Sequence, residues 1–177
     1  SFALAASLLL RTSEEGLRKG LLAISHNDLR QEFITMNGYT VFNDSYNASY
    51  ESVIADLKHL KKSFPDKPIG AILGDIAELG ESSEEIHTKI GIAAAELKIS
   101  SLYLIGRFSR KIAKGAIVTG FDESRIFVNE DPSNFDLTVA QLTKNHLFEE
   151  VILLKASHAS RIYEIADILK KRKKMKP

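Results

Sequence analysis

Asp44, Asp75 and Lys155 are the residues whose type and setting could do chemistry, because each stands where an apolar run ends. In IGAILGDIAELGESSEEIH, from Ile69 to His87, a short apolar run reads as a buried parallel strand and stops at Gly74-Asp75. The chain then passes Gly80 and enters a helix at Ser82-Ser83-Glu84-Glu85, with hydroxyls for the orphan amides and carboxylates in the first turn. Asp44 could take a ribose hydroxyl, with the Tyr46 ring and the Asn47 amide beside it; Asp44 or Asn47 could equally cap the next helix. Asp75 and Glu78 could hold an ammonium or orient a loop, and Gly74-Asp75 also reads as simple turn chemistry. Lys155, with Ser157 and a following helix N-terminus, suits a carboxylate or phosphate, or else snorkels to water.

Other chemistry is thinly represented. The five histidines show no metal-ligand spacing, so no metal site is predicted; His59 reads as helix surface, and His87 as packed or bonded near the Asp75 loop. Neither a GxxxxGK[ST] loop nor a GxGxxG after a strand occurs, so the chain has no triphosphate cradle of its own. No Ser-His-Asp or Cys-His order stands out, and no catalytic residue is assigned.

The elements that must position these residues alternate. Helices are expected over Phe2 to Arg11 and Ser13 to Ile24, the second capped by Ser13, with a polar linker at Ser25 to Leu29. Arg30 to Met36 and Tyr39 to Phe42 flank Asn37-Gly38, a strong hairpin signal. Strands follow at Ile69 to Leu73, Leu102 to Ile105, Arg125 to Val128 and Val151 to Leu154. Helices fall at about Ser49 to Lys62, Ser82 to Leu97, Ser109 to Val118, Asn134 to Asn145 and Ala159 to Lys173. The expected fold class is α/β: a Rossmann-like, mostly parallel sheet with helices on both faces, preceded by a helical remnant and a β-hairpin. Right-handed crossovers then bring Asp44 to Asn47, Gly74 to Gly80, Gly106-Arg107 and Lys155 to His158 to one rim, the carboxyl edge where open sheets bind ligands.

Composition bounds the function classes. A length of 177 residues suits one α/β domain and little more. With a formal charge of +1 there is no global field to attract nucleic acid, and Lys170 to Lys174 reads as a solvated helix end. The absence of cysteine rules out disulfides and thiolate metal sites and fits a cytoplasmic location. Phe2 to Leu10 is too short to span a bilayer and lacks the flanks of a signal peptide. With no initiator Met and an opening in mid-helix, the chain reads as cut from something larger.

ILGDIAELGESSEEIH, followed by Ile90-Gly91, is similar to a signature of the Mur ligases, the ATP-dependent amide ligases of bacterial peptidoglycan precursor synthesis. VFNDSYNAS and LLKASHA resemble two further motifs of that family, and Arg30 falls where it carries an arginine. Departures are Ile76 for Met, Ser49-Tyr50 for Asn-Pro, Ala156 for glycine and His158 for arginine. The resemblance covers about Arg30 to the end and is strongest to the members that add D-alanyl-D-alanine to UDP-N-acetylmuramoyl-tripeptide. It implies that residues 28–177 are the carboxyl-terminal domain and residues 1–27 the last helices of a central ATPase domain.

By the same resemblance, Arg30, Asp44 and Asn47 lie toward ATP, and Asp75, Lys155, Ser157 and His158 toward the incoming dipeptide or acyl phosphate. ATP and Mg2+ are implied for a full-length enzyme, with phosphate loop and metal ligands on domains outside this chain, which alone is expected to be silent. A different amino-acid or glutamate ligase of the family is the alternative. Outside the family stand a receiver-like domain, which needs an adjacent acid pair where this chain has Asn43-Asp44, and a dinucleotide-binding module, which lacks its glycine fingerprint.

Overall fold

The computed structural model describes residues 13–23 and 31–174. The helix expected over Phe2 to Arg11, the linker at Ser25 to Leu29 and Arg30 itself lie outside the described residues. The elements run α1 (Glu14–Ala23), β1 (Glu32–Thr35), β2 (Tyr39–Asn43), α2 (Tyr50–Ser63), β3 (Ile69–Leu73), α3 (Ser83–Glu96) and β4 (Leu102–Ile105). They continue with α4 (Ser109–Val118), β5 (Ile126–Asn129), α5 (Phe135–Asn145), β6 (Glu150–Lys155) and α6 (Glu164–Lys174).

One sheet of six strands takes the order β1-β2-β6-β3-β4-β5. Only β1 is antiparallel, joined to β2 by the Asn37-Gly38 turn with Gly38 at φ 91°. The hairpin is therefore part of the sheet and not a preface to it, since β2 pairs in parallel with β6. The buried faces of β3, β4 and β6 explain their unbroken apolar runs: every residue of each is buried.

Chain direction decides which helices cover which face. The steps β2 to β3, β3 to β4 and β4 to β5 run one way across the sheet through α2, α3 and α4, which share a core with Leu57, Leu60, Ile90, Leu104 and Ile112. The return from β5 to β6 runs the other way, and α5 and α6 pack on the opposite face around Val139, Leu142, Ile152 and Ile165. Opposite directions on opposite faces preserve one crossover hand. The chain segments after the adjacent strands β3 and β6 consequently lead to helices on opposite faces, α3 and α6.

Local chemistry sets the helix ends. Ser13 Oγ accepts from Gly16 N at 3.1 Å to cap α1. Ser49 caps α2: its Oγ accepts from Ser52 N at 3.2 Å while Ser52 Oγ accepts from Ser49 N at 2.9 Å. Tyr50 takes the first helical position, so the helix starts on a serine capping box without a proline.

Two helix starts differ from expectation. Gly80–Ser82 is a 3-10 turn, Ser82 makes no side-chain cap, and Ser83 Oγ donates to Gly80 O at 2.7 Å. The last helix begins at Glu164, not at Ala159, because a 3-10 turn over His158–Ser160 ends in Arg161 at φ 56°, a left-handed conformation that interrupts the helix. At the basic end of α6, Lys170 pairs with Glu32 at 2.8 Å and Arg172 with Asp136 at 3.1 Å. Among the described residues no helix is long and apolar enough to cross a membrane.

Candidate functional site

The carboxyl edge of the sheet carries two corners. The first lies between β2 and β6. The β2–β6 ladder runs on past β2 through Asp44 N donating to Leu154 O at 3.0 Å, which places the Asp44 carboxylate beside the last residue of β6. That residue is Lys155, and its side chain is 2% exposed. Its ammonium pairs with Asp44 and, at 2.7 Å, with Asp56 from α2. Both carboxylates are 17% exposed, so a buried cation is matched by two nearly buried anions. Burial pushes the Asp56 carboxyl above its ordinary value; the Lys155 ammonium opposes this and the Asp44 charge adds to it.

The second corner lies between β6, β3 and β4 and is held by backbone partners. Past β3 and β6 the chains remain zipped: Gly74 N donates to Lys155 O at 3.2 Å, Ser157 N to Asp75 O at 3.1 Å, and Ala77 N to Ser157 Oγ at 2.8 Å. Gly74 leaves room for Ala156, since a Cβ at 74 would stand 2.9 Å from the Ala156 methyl. Ala156 is not among the positive-φ residues, so the alanine carries no left-handed strain. The Asp75 carboxylate accepts from Arg107 N at 2.9 Å and Phe108 N at 3.0 Å. Gly106, at φ 105°, permits that approach, because a Cβ there would sit 2.6 Å from Asp75 Oδ2.

His87 completes the frame. Fully buried on α3, it accepts from Ile76 N at Nε2 (3.0 Å) and faces Ser83 O at Nδ1 (2.6 Å), and its ring stacks on Phe108 at 4.6 Å. Those partners set the neutral tautomer with its proton on Nδ1. Four residues on from the histidine, Gly91 serves packing: a Cβ there would fall 1.9 Å from Ile112 O, so α3 and α4 meet backbone to backbone.

This second corner opens into a cavity of about 750 Å3, within the range of small-molecule sites. Its walls include the 74–81 loop, Gly106 to Phe108, Ser133, Phe135 and the 157–162 turn.

The fold thus gathers the expected site residues on one edge in different roles. Asp44 and Lys155 share the first corner with Asp56, which sequence reading missed. Asp75 and Ser157 frame the cavity through backbone hydrogen bonds. His158 is exposed on the rim, edge-on to Tyr46 at 5.8 Å and stacked on Tyr163 at 5.0 Å. Asn47 is exposed with its Oδ1 accepting from Ala48 N at 2.9 Å. Arg30 lies outside the described residues. Asp44 and Asp75, which a receiver-like reading would place in one acidic cluster, belong to different corners. Among the described residues no group of three or more His, Cys, Asp or Glu is arranged to hold a metal ion.

Comparison with known proteins gives concordant results. The family description "Mur ligase, glutamate ligase domain" matches residues 29–166. The chain is 31% identical over 166 residues to UDP-N-acetylmuramoyl-tripeptide--D-alanyl-D-alanine ligase of Bacillus subtilis (strain 168), covering 92% of this chain and 35% of that protein. Among solved structures it resembles MurF from Acinetobacter baumannii, with a TM-score of 0.75 and 23% identity over 93% of this chain and 35% of that one. MurF ligase from Thermotoga maritima, in complex with ADP, gives a TM-score of 0.70 and 23% identity over 96% of this chain and 37% of that one. These structural likenesses show the fold, and the chain spans about 35% of the length of the Bacillus subtilis relative.

Proposed function

The chain belongs to the Mur ligase family as its glutamate ligase domain, and we propose that it is the carboxyl-terminal domain of an ATP-dependent ligase adding D-alanyl-D-alanine to UDP-N-acetylmuramoyl-tripeptide. The observation that carries this reading is the convergence of the DSYNAS, GDIAELG and KASH segments on one sheet edge, where the GDIAELG loop and Ser157 line a cavity large enough for a dipeptide and Asp44 and Lys155 form the neighbouring corner. A match that begins at residue 29 accords with a boundary near residue 28, with residues 1–27 belonging to the preceding domain.

In this reading ATP phosphorylates the tripeptide carboxylate. The dipeptide amine then attacks the acyl carbon, a C–N bond forms, and phosphate leaves with the acyl C–O bond broken. A divalent cation would supply charge neutralisation at the phosphates, held by ligands that this reading assigns to the rest of the protein. The phosphate loop, absent from this sequence, belongs there too.

The contribution of this chain is closure and positioning. Asp44, aimed at the rim by its pairing with Lys155, accepts a ribose hydroxyl, with Arg30 and Asn47 toward the nucleotide. Asp75, Ser157 and Lys155 shape the dipeptide end by fixing its loops, and His158 borders it. Such a domain placed over the acyl phosphate excludes water, the competing nucleophile.

The test uses the complete protein encoded by the gene. ADP release that requires both UDP-N-acetylmuramoyl-tripeptide and D-alanyl-D-alanine is expected, with none from the 177-residue chain alone. ADP release with a single amino acid in place of the dipeptide would move the assignment to another ligase of the family.

A further inference from the structure

The cavity wall carries one cation that the fold leaves uncommitted. Lys155 is enclosed by Asp44 and Asp56, Arg161 pairs with Glu164, Arg110 with Glu130 at 2.6 Å, and Lys111 with Glu84 at 2.6 Å. Arg107 has none of these: among the described residues its guanidinium makes no ion pair and no hydrogen bond. It stands 5.3 Å over the Phe108 ring and lines the cavity. The acid that feels its charge, Glu84, is already paired with Lys111.

Its backbone, by contrast, is tightly held. Asp75 accepts from the Arg107 and Phe108 amides, Gly106 supplies the turn, and Phe108 is stacked on the buried His87. The residue is exposed, and a fixed backbone, an aromatic shelf and five free N–H donors offer a fork to a carboxylate in the cavity. The inner wall, with Ile105, Phe135 and Ile162, suits a small aliphatic residue, and Glu78 and Glu81 on the 74–81 loop offer carboxylates to an ammonium end.

We propose that Arg107 anchors the terminal carboxylate of the incoming dipeptide and so selects acids over their amides. This rests on the dipeptide ligase reading for the identity of the ligand. The carboxylate recognition itself lies wholly within this chain. Lys155 then acts as a positioning residue for the rim, and Arg107 touches the substrate.

Titration of the 15N-labelled 177-residue chain with D-alanyl-D-alanine, and in parallel with its C-terminal amide, tests the contact directly. The Arg107 Nε–Hε resonance shifts saturably with the acid, and the amide binds about tenfold or more weakly. R107Q weakens the acid by a similar factor, changes the amide less than about twofold and abolishes the preference; R107K recovers only part, for want of the fork. A preference for the acid that survives R107Q overturns the proposal, as does the lack of any saturable binding by the wild-type chain. Absence of dipeptide-dependent ADP release from the complete protein would sink the ligase reading and leave this titration to be judged separately.

Discussion

Strand β6 carries a buried charge at each end, and the two are satisfied in opposite ways. At its amino end Glu150 is fully buried and, among the described residues, accepts from neutral donors: Ser100 Oγ at 2.5 Å, Ser101 Oγ at 2.6 Å and Leu147 N at 2.9 Å. At its carboxyl end Lys155 meets two carboxylates, and the three groups together carry one surplus negative charge. The amino end is closed by short polar side chains and a backbone amide from neighbouring loops, so its charge orders the base of the sheet. The carboxyl end shares its cation between a rim residue and a helix, so the same kind of burial there orients the Asp44 carboxylate at the rim. One strand thus uses buried charge once for architecture and once for aiming.

Removing the cation breaks the comparison most strongly. Lys155→Met leaves Asp44 and Asp56 facing each other without compensation, and a loss of about 3–5 kcal/mol in unfolding free energy is expected from chemical denaturation. Adding Asp44→Asn and Asp56→Asn to that variant restores much of the loss, because no buried charge remains to be matched. An additive triple variant, less stable still, would show that the three groups do not form one unit.

At the other end the sensitive position is a glycine. Gly70 lies on β3 beside Glu150, and a Cβ there would fall 2.4 Å from Ser101 Oγ and 2.8 Å from Glu150 Oε1. Gly70→Ala is expected to cost about 1–3 kcal/mol by displacing those hydrogen-bonding groups. Combining it with Ser101→Ala, which removes the nearer obstruction, should recover part of that cost in the same denaturation experiment. A Gly70→Ala protein as stable as wild type would mean that the amino-end network yields freely, and the contrast between the two ends would weaken.

The fold was legible for reasons that also mark where legibility stopped. β3 and β6 announce themselves as apolar runs because both their faces are covered, and Asn37-Gly38 fixes a turn that few other dipeptides suit. The start of the last helix was misplaced because Arg161 adopts a left-handed conformation with no glycine to signal it. In the site, the strand-end residues Asp44, Asp75 and Lys155 were visible because topology alone brings strand ends to one edge. Their partners were not. Asp56 sits inside an ordinary helix sequence between Ala55 and Leu57, and only the passage of α2 over β6 turns it toward Lys155. Likewise, nothing in Gly106-Arg107 distinguishes it from a turn until the other cations of the rim are seen to be paired.

The surplus negative charge makes the smallest difference and the most diagnostic one. Burial raises the Asp56 carboxyl above 3.8, so from that pH up to its raised value the native state holds the proton more firmly than the unfolded chain does. Unfolding free energy therefore falls as pH rises through this window, by at most about 1.4 kcal/mol per pH unit for one proton, and the deficit persists above it. Asp56→Asn removes the titrating group and should flatten the stability profile in the window that opens at 3.8. Denaturation of this variant and the wild type across acidic pH would show it. An unchanged slope in Asp56→Asn would mean that Lys155 compensates both carboxylates fully, and that the two ends of β6 differ in partners but not in electrostatic balance.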